Sequence, residues 1–184
     1  MRSAVLPGLA VASLLAGCGD KPAQPPRPQA PAPAATVAIP PAPASTLAGR
    51  YEALSTTAEA FTGPITVEGT AIESRIGLRY EAAPVAEATA SDLADGAQNF
   101  ADLMTTSKAA RVEIRKVSRE AVPKGAPNGG FCGGGPPTYL ALALDGEGPA
   151  RTLHLAAFQG ADRPGAGKAV QLCGVFNYVP PSGG

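Results

Sequence analysis

Thr138-Tyr139-Leu140-Ala141-Leu142-Ala143-Leu144 runs into Asp145-Gly146-Glu147-Gly148, and the chain then returns as Thr152-Leu153-His154-Leu155-Ala156-Ala157-Phe158. Successive side chains leave an extended backbone on opposite faces, so an alternation of period two marks a strand. In the first run the leucines share one face, and Tyr139 and the alanines share the other. Asp-Gly reverses an extended chain readily, because glycine accepts the left-handed backbone and aspartate bonds to the turn. The stretch therefore reads as an antiparallel hairpin with one face committed to a core.

Working outward, residues 170–178 (Val-Gln-Leu-Cys-Gly-Val-Phe-Asn-Tyr) extend the same sheet by a third strand. Upstream, residues 49–55, 65–68, 75–81 and 111–117 read as strands; in the last of these Val112 and Ile114 alternate with Arg111, Glu113 and Arg115. Leu93, Ala97, Phe100 and Met104 recur at helical spacing behind Ser91 or Asp92 as N-cap. The expectation is a mainly β, α+β domain in which one helix packs on about seven strands, closed as a small antiparallel barrel or left as a strongly curved sheet. Arg50-Tyr51-Glu52-Ala53 and Arg79-Tyr80-Glu81-Ala82 nearly repeat, which raises the idea of a duplicated strand unit.

The 184 residues carry 15 basic and 15 acidic side chains, a balance that gives a polyanion no purchase and excludes nucleic acid as an expected partner. There is no Trp and only 5% of residues are aromatic, so the large side chains must be used economically. At the amino terminus, Arg2 precedes an apolar stretch from Ala4 to Leu15 that is too short to span a bilayer, which takes ~20 residues. It ends in Leu15-Ala16-Gly17-Cys18, which resembles the lipobox of bacterial lipoproteins. That resemblance implies a signal peptide over residues 1–17, removal of that segment, and acylation of Cys18 by diacylglycerol and a palmitate-type chain. Two or more acyl chains make a stable membrane anchor. Gly19 in place of Asp after the lipidated Cys implies sorting to the outer membrane, with the domain in the periplasm.

Residues 18–46 hold the lipidated Cys and a Pro/Ala-rich linker. Its prolines fix φ and lack N–H donors, which favours an extended coil of ~3.1 Å per residue. Residues 47–179 are expected to form one β-rich domain and residues 180–184 a disordered tail.

With Cys18 lipidated, Cys132 and Cys173 remain, and in an oxidising envelope they are expected to pair. Closing a loop of that length contributes ~4 kcal/mol in the chain-entropy model. His154, the one histidine, has no Gly-x-Ser-x-Gly serine to serve and too few companions for a metal. Gly165-Ala166-Gly167-Lys168-Ala169 departs from a phosphate loop at Asp162 and Ala169. No catalytic residue, cofactor or metal is therefore assigned, and the protein is read as a non-enzyme.

Two candidate ligand contacts stand out. Arg111, Arg115, Lys116 and Arg119 lie in the densest basic stretch, an anion-binding strip or a solvated strand face. Phe131 sits in the glycine-rich residues 125–137, a candidate exposed contact. Small lipoproteins that inhibit lysozyme are similar in size and anchoring, but their Ser-Gly-x-x-Tyr motif is missing here, so no residue carries over. The functional expectation is a lipid-anchored envelope protein with a non-catalytic binding or inhibitory domain. The alternatives are an assembly lipoprotein contacting another envelope protein and, behind it, an envelope hydrolase; the partner is an envelope protein or an anionic cell-wall component.

The anchor is directly testable. Intact-mass analysis of the membrane fraction should show acylated Cys18, and Cys18→Ser should abolish both the acyl mass and membrane retention.

Overall fold

The computed structural model describes residues 46–181; the expected signal peptide, Cys18, the expected linker up to residue 45 and residues 182–184 of the expected tail lie outside them. Eight strands follow one another around a closed antiparallel barrel: β1 (Gly49–Ala53), β2 (Ile65–Glu68), β3 (Ala71–Ser74), β4 (Arg79–Thr89), β5 (Arg111–Ala121), β6 (Tyr139–Asp145), β7 (Thr152–Gly160) and β8 (Val170–Val179). Each pairs with its neighbour in sequence, and Glu52↔Val179 and Ala53↔Tyr178 join β1 to β8. The expected hairpin is β6–β7, in register from Tyr139↔Phe158 to Asp145↔Thr152.

The barrel is the closed alternative, and the expectation of one helix is corrected to two short ones. Helix α1 (Thr56–Phe61) starts at Ser55, whose hydroxyl accepts from Ala58 N–H at 3.1 Å. Helix α2 (Phe100–Met104) occupies only the end of the anticipated segment, because Asn99 supplies the cap by accepting from Asp102 N–H at 2.8 Å. The strand expected over 75–81 also differs. Residues 75–78 form a turn, β4 begins at Arg79, and β3 was not anticipated.

Two apolar layers result. Inside the barrel, Leu140, Leu142, Leu153, Leu155, Phe176 and Tyr178 from β6–β8 meet Tyr51, Ile65, Val67, Ile72 and Tyr80 from β1–β4. Outside it, Val112, Ile114, Ala141, Ala143, Ala156 and Phe158 form a second surface, covered by Phe100, Ala101 and Met104. Both faces of β6 and β7 are thus buried, and the alanines on the outer face let α2 approach closely. Across β1–β4 the outer wall carries a polar row, with Arg50, Thr66, Glu73 and Arg79 side by side. This is the reverse of a membrane-spanning barrel, whose outward band is apolar. No helix among the described residues is long and apolar enough to cross a membrane.

Asp145, at the end of β6, holds the α2 segment down. Its carboxylate accepts from Thr106 Oγ1 at 2.8 Å, Ser107 N–H at 2.6 Å and Ser107 Oγ at 2.8 Å. These donors, the Ser107 N–H foremost, lower its pKa to about 2. A lowered carboxylate adds stability above its unfolded pKa and loses it as pH falls through the folded value. Asp145→Asn should therefore lower stability by ~1 kcal/mol at pH 7, and chemical denaturation at pH 4 and pH 2 should show the difference shrinking.

Candidate functional site

The basic stretch does not form one surface. Arg111 and Glu87 make an exposed ion pair. Arg115 points into the barrel and is fully buried; its Nε donates to Glu113 Oε1 at 2.6 Å and its Nη1 to the carbonyl of Gly69 at 2.9 Å. Lys116 and Arg119 are exposed on the outer wall, where Lys116 pairs with Ala83 and Arg119 with Glu81. The strand face expected to carry the charges is split because Val112 and Ile114 turn outward beneath α2, which sends Arg115 inward.

Phe131 is likewise not a surface contact. It is 1% exposed and fills the barrel between Tyr80, at a ring separation of 4.6 Å, and Phe176, at 4.8 Å. The glycine-rich loop delivers it there. Gly130 has φ +87°, and a Cβ on it would stand 2.7 Å from both Tyr80 Oη and Glu120 Oε1, so only glycine passes beneath those two groups. The next amide, Phe131 N–H, donates to Tyr80 Oη at 3.0 Å. One residue further, Cys132 forms the expected disulfide with Cys173 of β8 across 41 residues.

The three buried tyrosines have parallel roles. Tyr51 Oη donates to the Leu47 carbonyl at 2.9 Å, Tyr80 Oη receives Phe131 N–H, and Tyr178 Oη lies 2.8 Å from Thr62 Oγ1 at the end of α1. Each hydroxyl ties a non-strand segment to the barrel interior. The two near-identical tetrapeptides supply the first two of these tyrosines, on β1 and β4. Burial raises the Tyr80 and Tyr178 hydroxyls far above the ordinary phenol value.

Beside Tyr80, burial raises the Glu120 carboxyl too, an effect the Tyr80 hydroxyl partly offsets. Glu120 Oε1 is sealed from solvent, with the Tyr80 hydroxyl as the donor beside it. His154 is on the outer face of β7, where its Nδ1–H donates to Asn177 Oδ1 at 3.0 Å across the β7–β8 ladder.

Sequence reasoning gave no sign of one further feature. On the outer wall, Arg50, Glu52, Pro64, Thr66, Glu73 and Arg75 line a cleft of about 270 Å³. A second cleft of about 290 Å³ shares Glu52, Pro64 and Arg75 with it and adds Glu59 at its far side. Glu73 is paired with Arg79 at 2.7 Å, whereas Arg50 and Arg75 take part in none of the ion pairs among the described residues. The cross-strand row Arg50–Thr66–Glu73 lies alongside Glu52, Pro64 and Arg75, so basic and acidic groups alternate around the cleft. The signal for this cleft was the pair of i, i+2 charge reversals, Arg50/Glu52 and Glu73/Arg75, which gain meaning only once β1 and β3 are known to flank β2.

The chain matches no family model, no curated protein and no solved structure.

Glu120 yields a pH-dependent expectation. A carboxyl raised by folding binds its proton more tightly in the folded state, so its ionisation costs stability as pH rises above the unfolded value near 4.5. Glu120→Gln should raise the melting temperature at pH 7, and the advantage should fade below pH 4.5; calorimetry at both pH values checks this.

Proposed function

We propose that this protein is a lipoprotein of the outer membrane, held through acylated Cys18, whose barrel is a non-catalytic binding or inhibitory module for another envelope protein in the periplasm. The observation that carries the reading is the charged cleft around Pro64 and Thr66, where two arginines without intramolecular ion pairs stand among Glu52, Glu59 and Glu73. Alternating charge suits a protein surface with its own alternating charges, and it gives specificity because the wrong partner meets like charge. The same alternation is a poor match for a uniformly anionic wall polymer. The packed barrel interior also favours contact through the outer wall, and a Pro/Ala-rich linker would give such a module reach from the membrane.

The test is photocrosslinking in cells producing the lipidated protein, with a photoreactive residue in place of Thr66. A discrete protein adduct is expected. It should fall about tenfold in the Arg50→Gln/Arg75→Gln variant, since exposed charge pairs contribute ~0.7 kcal/mol each. Crosslinks from a probe at Lys116 with none from Thr66 would move the binding face to the basic strand and sink this reading.

A further inference from the structure

Phe131 fills the barrel from a loop rather than from a strand, and a reducible disulfide is among the ties that hold it there. Its backbone N–H rests on Tyr80 Oη, its ring lies between Tyr80 and Phe176, and its neighbour Cys132 is tied to β8 by a disulfide. The loop's other side-chain ties are a bond from Asn128 Nδ2 to the Ala60 carbonyl at 3.2 Å and one from Gln159 Nε2 to the Pro136 carbonyl at 3.3 Å. Beside the ring, the solvent-sealed Glu120 Oε1 stands near Tyr80 Oη, and the space between the two oxygens is held by Gly130, which has no side chain. Removing the loop residues would leave an aromatic-walled slot with two oxygen acceptors at its mouth.

We propose that residues 125–137 are a disulfide-locked plug occupying a ligand site in the barrel, and that the site takes a single-ring aromatic amine. Phe131 stands in for such a ligand: its ring for the aromatic group, its N–H for the donor that Tyr80 accepts. An ammonium entering beside that amide meets Glu120 as its acceptor, and charge-assisted hydrogen bonds of this type are the strong ones. An eight-stranded barrel has room for its own side chains or for one small ligand. A benzene-sized apolar void in a protein core stays dry and binds aromatic molecules.

Opening the lock takes two electrons from a dithiol. One of its thiolates attacks a sulfur of the Cys132–Cys173 bond to give a mixed disulfide, and its second thiol displaces the remaining cysteine. The dithiol leaves as a disulfide, and its two protons end on Cys132 and Cys173. The site is separate from the outer-wall cleft, so either proposal can fail without the other.

The experiment titrates 2-phenylethylammonium and toluene into the full-length chain carrying Cys18→Ser, followed by calorimetry, with near-ultraviolet circular dichroism reporting the fold. Oxidised protein should bind neither. Oxidised Phe131→Ala, with the lock intact and the ring removed, should bind 2-phenylethylammonium one to one, more tightly than toluene, and adding Glu120→Gln should weaken it at least tenfold. A folded Phe131→Ala that does not bind, or whose binding ignores Glu120→Gln, overturns the proposal. Should Phe131→Ala fail to fold, the dithiol-reduced Phe131-containing protein decides: saturable, Glu120-dependent binding supports the plug, and no binding overturns it.

Discussion

A barrel of eight strands must fill its own interior, and three of the strands here are too short to do so. β1, β2 and β3 have five, four and four residues and send Tyr51, Ile65, Val67 and Ile72 inward. The missing volume is supplied from outside the sheet, by Leu47 before β1, Ala58 and Phe61 of α1, and Phe131 of the glycine-rich loop. Each borrowed segment brings backbone polar groups into an apolar interior, and leaving such groups unpaired costs ~1–3 kcal/mol apiece. Tyr51 and Tyr80 meet that demand at the Leu47 carbonyl and the Phe131 N–H, and Tyr178 holds the end of α1 through the Thr62 hydroxyl. Tyrosine has the length to cross the interior and ends in a group that both donates and accepts, so one residue type packs the core and anchors the insertions.

The long strands have the opposite problem. β4 and β5 have 11 residues each, and β6 and β7 expose an outward face of small apolar residues. Left bare, that face would be an aggregation surface. The segment between β4 and β5 folds back over it, with Phe100 and Met104 as the covering side chains and Asp145 fixing the far end. The molecule therefore has one sheet with two cores, an inner one built on Leu, Phe and Tyr and an outer one built largely on Ala.

That arrangement explains which parts were legible in the sequence. The β6–β7 hairpin was read to within one or two residues at its ends, since leucines and alanines alternate whichever faces are covered. β3 and α1 were missed because four to six residues are too few for a period to show, and their ends are set by Gly69 and by the Ser55 cap. The basic stretch was misread for a deeper reason. The rule that apolar residues point inward and charged ones outward assumes one buried face, and β5 has two. Val112 and Ile114 serve the outer core, so the same alternation drives Arg115 into the barrel. Phe131 was expected at the surface because glycine-rich loops usually lie there; its burial follows from an interior volume that short strands leave unfilled.

Arg115 is where the two cores meet, and its cost shows how strongly the outer core governs β5. Burying a guanidinium is expensive even when it is paired, and hydrophobic replacements of buried ion pairs are often no less stable. Here Nε and Nη1 are satisfied while Nη2 has no hydrogen-bond partner. What the pair supplies is position. Nη1 reaches the Gly69 carbonyl in the turn between β2 and β3, which joins the middle of β5 to the tip of a hairpin two strands away. β3 meets β4 over three residue pairs, and Thr70 in the tip bonds Ala82 N–H and Glu81 of β4, so the Arg115 bond adds to these a tie from the next strand along. A buried arginine with a directional carbonyl contact fixes where the short hairpin sits, and an aliphatic side chain of the same volume would fill the space without fixing it. The β2–β3 hairpin also carries Thr66 and Glu73, so the same contact sets the wall on which the charged cleft is built.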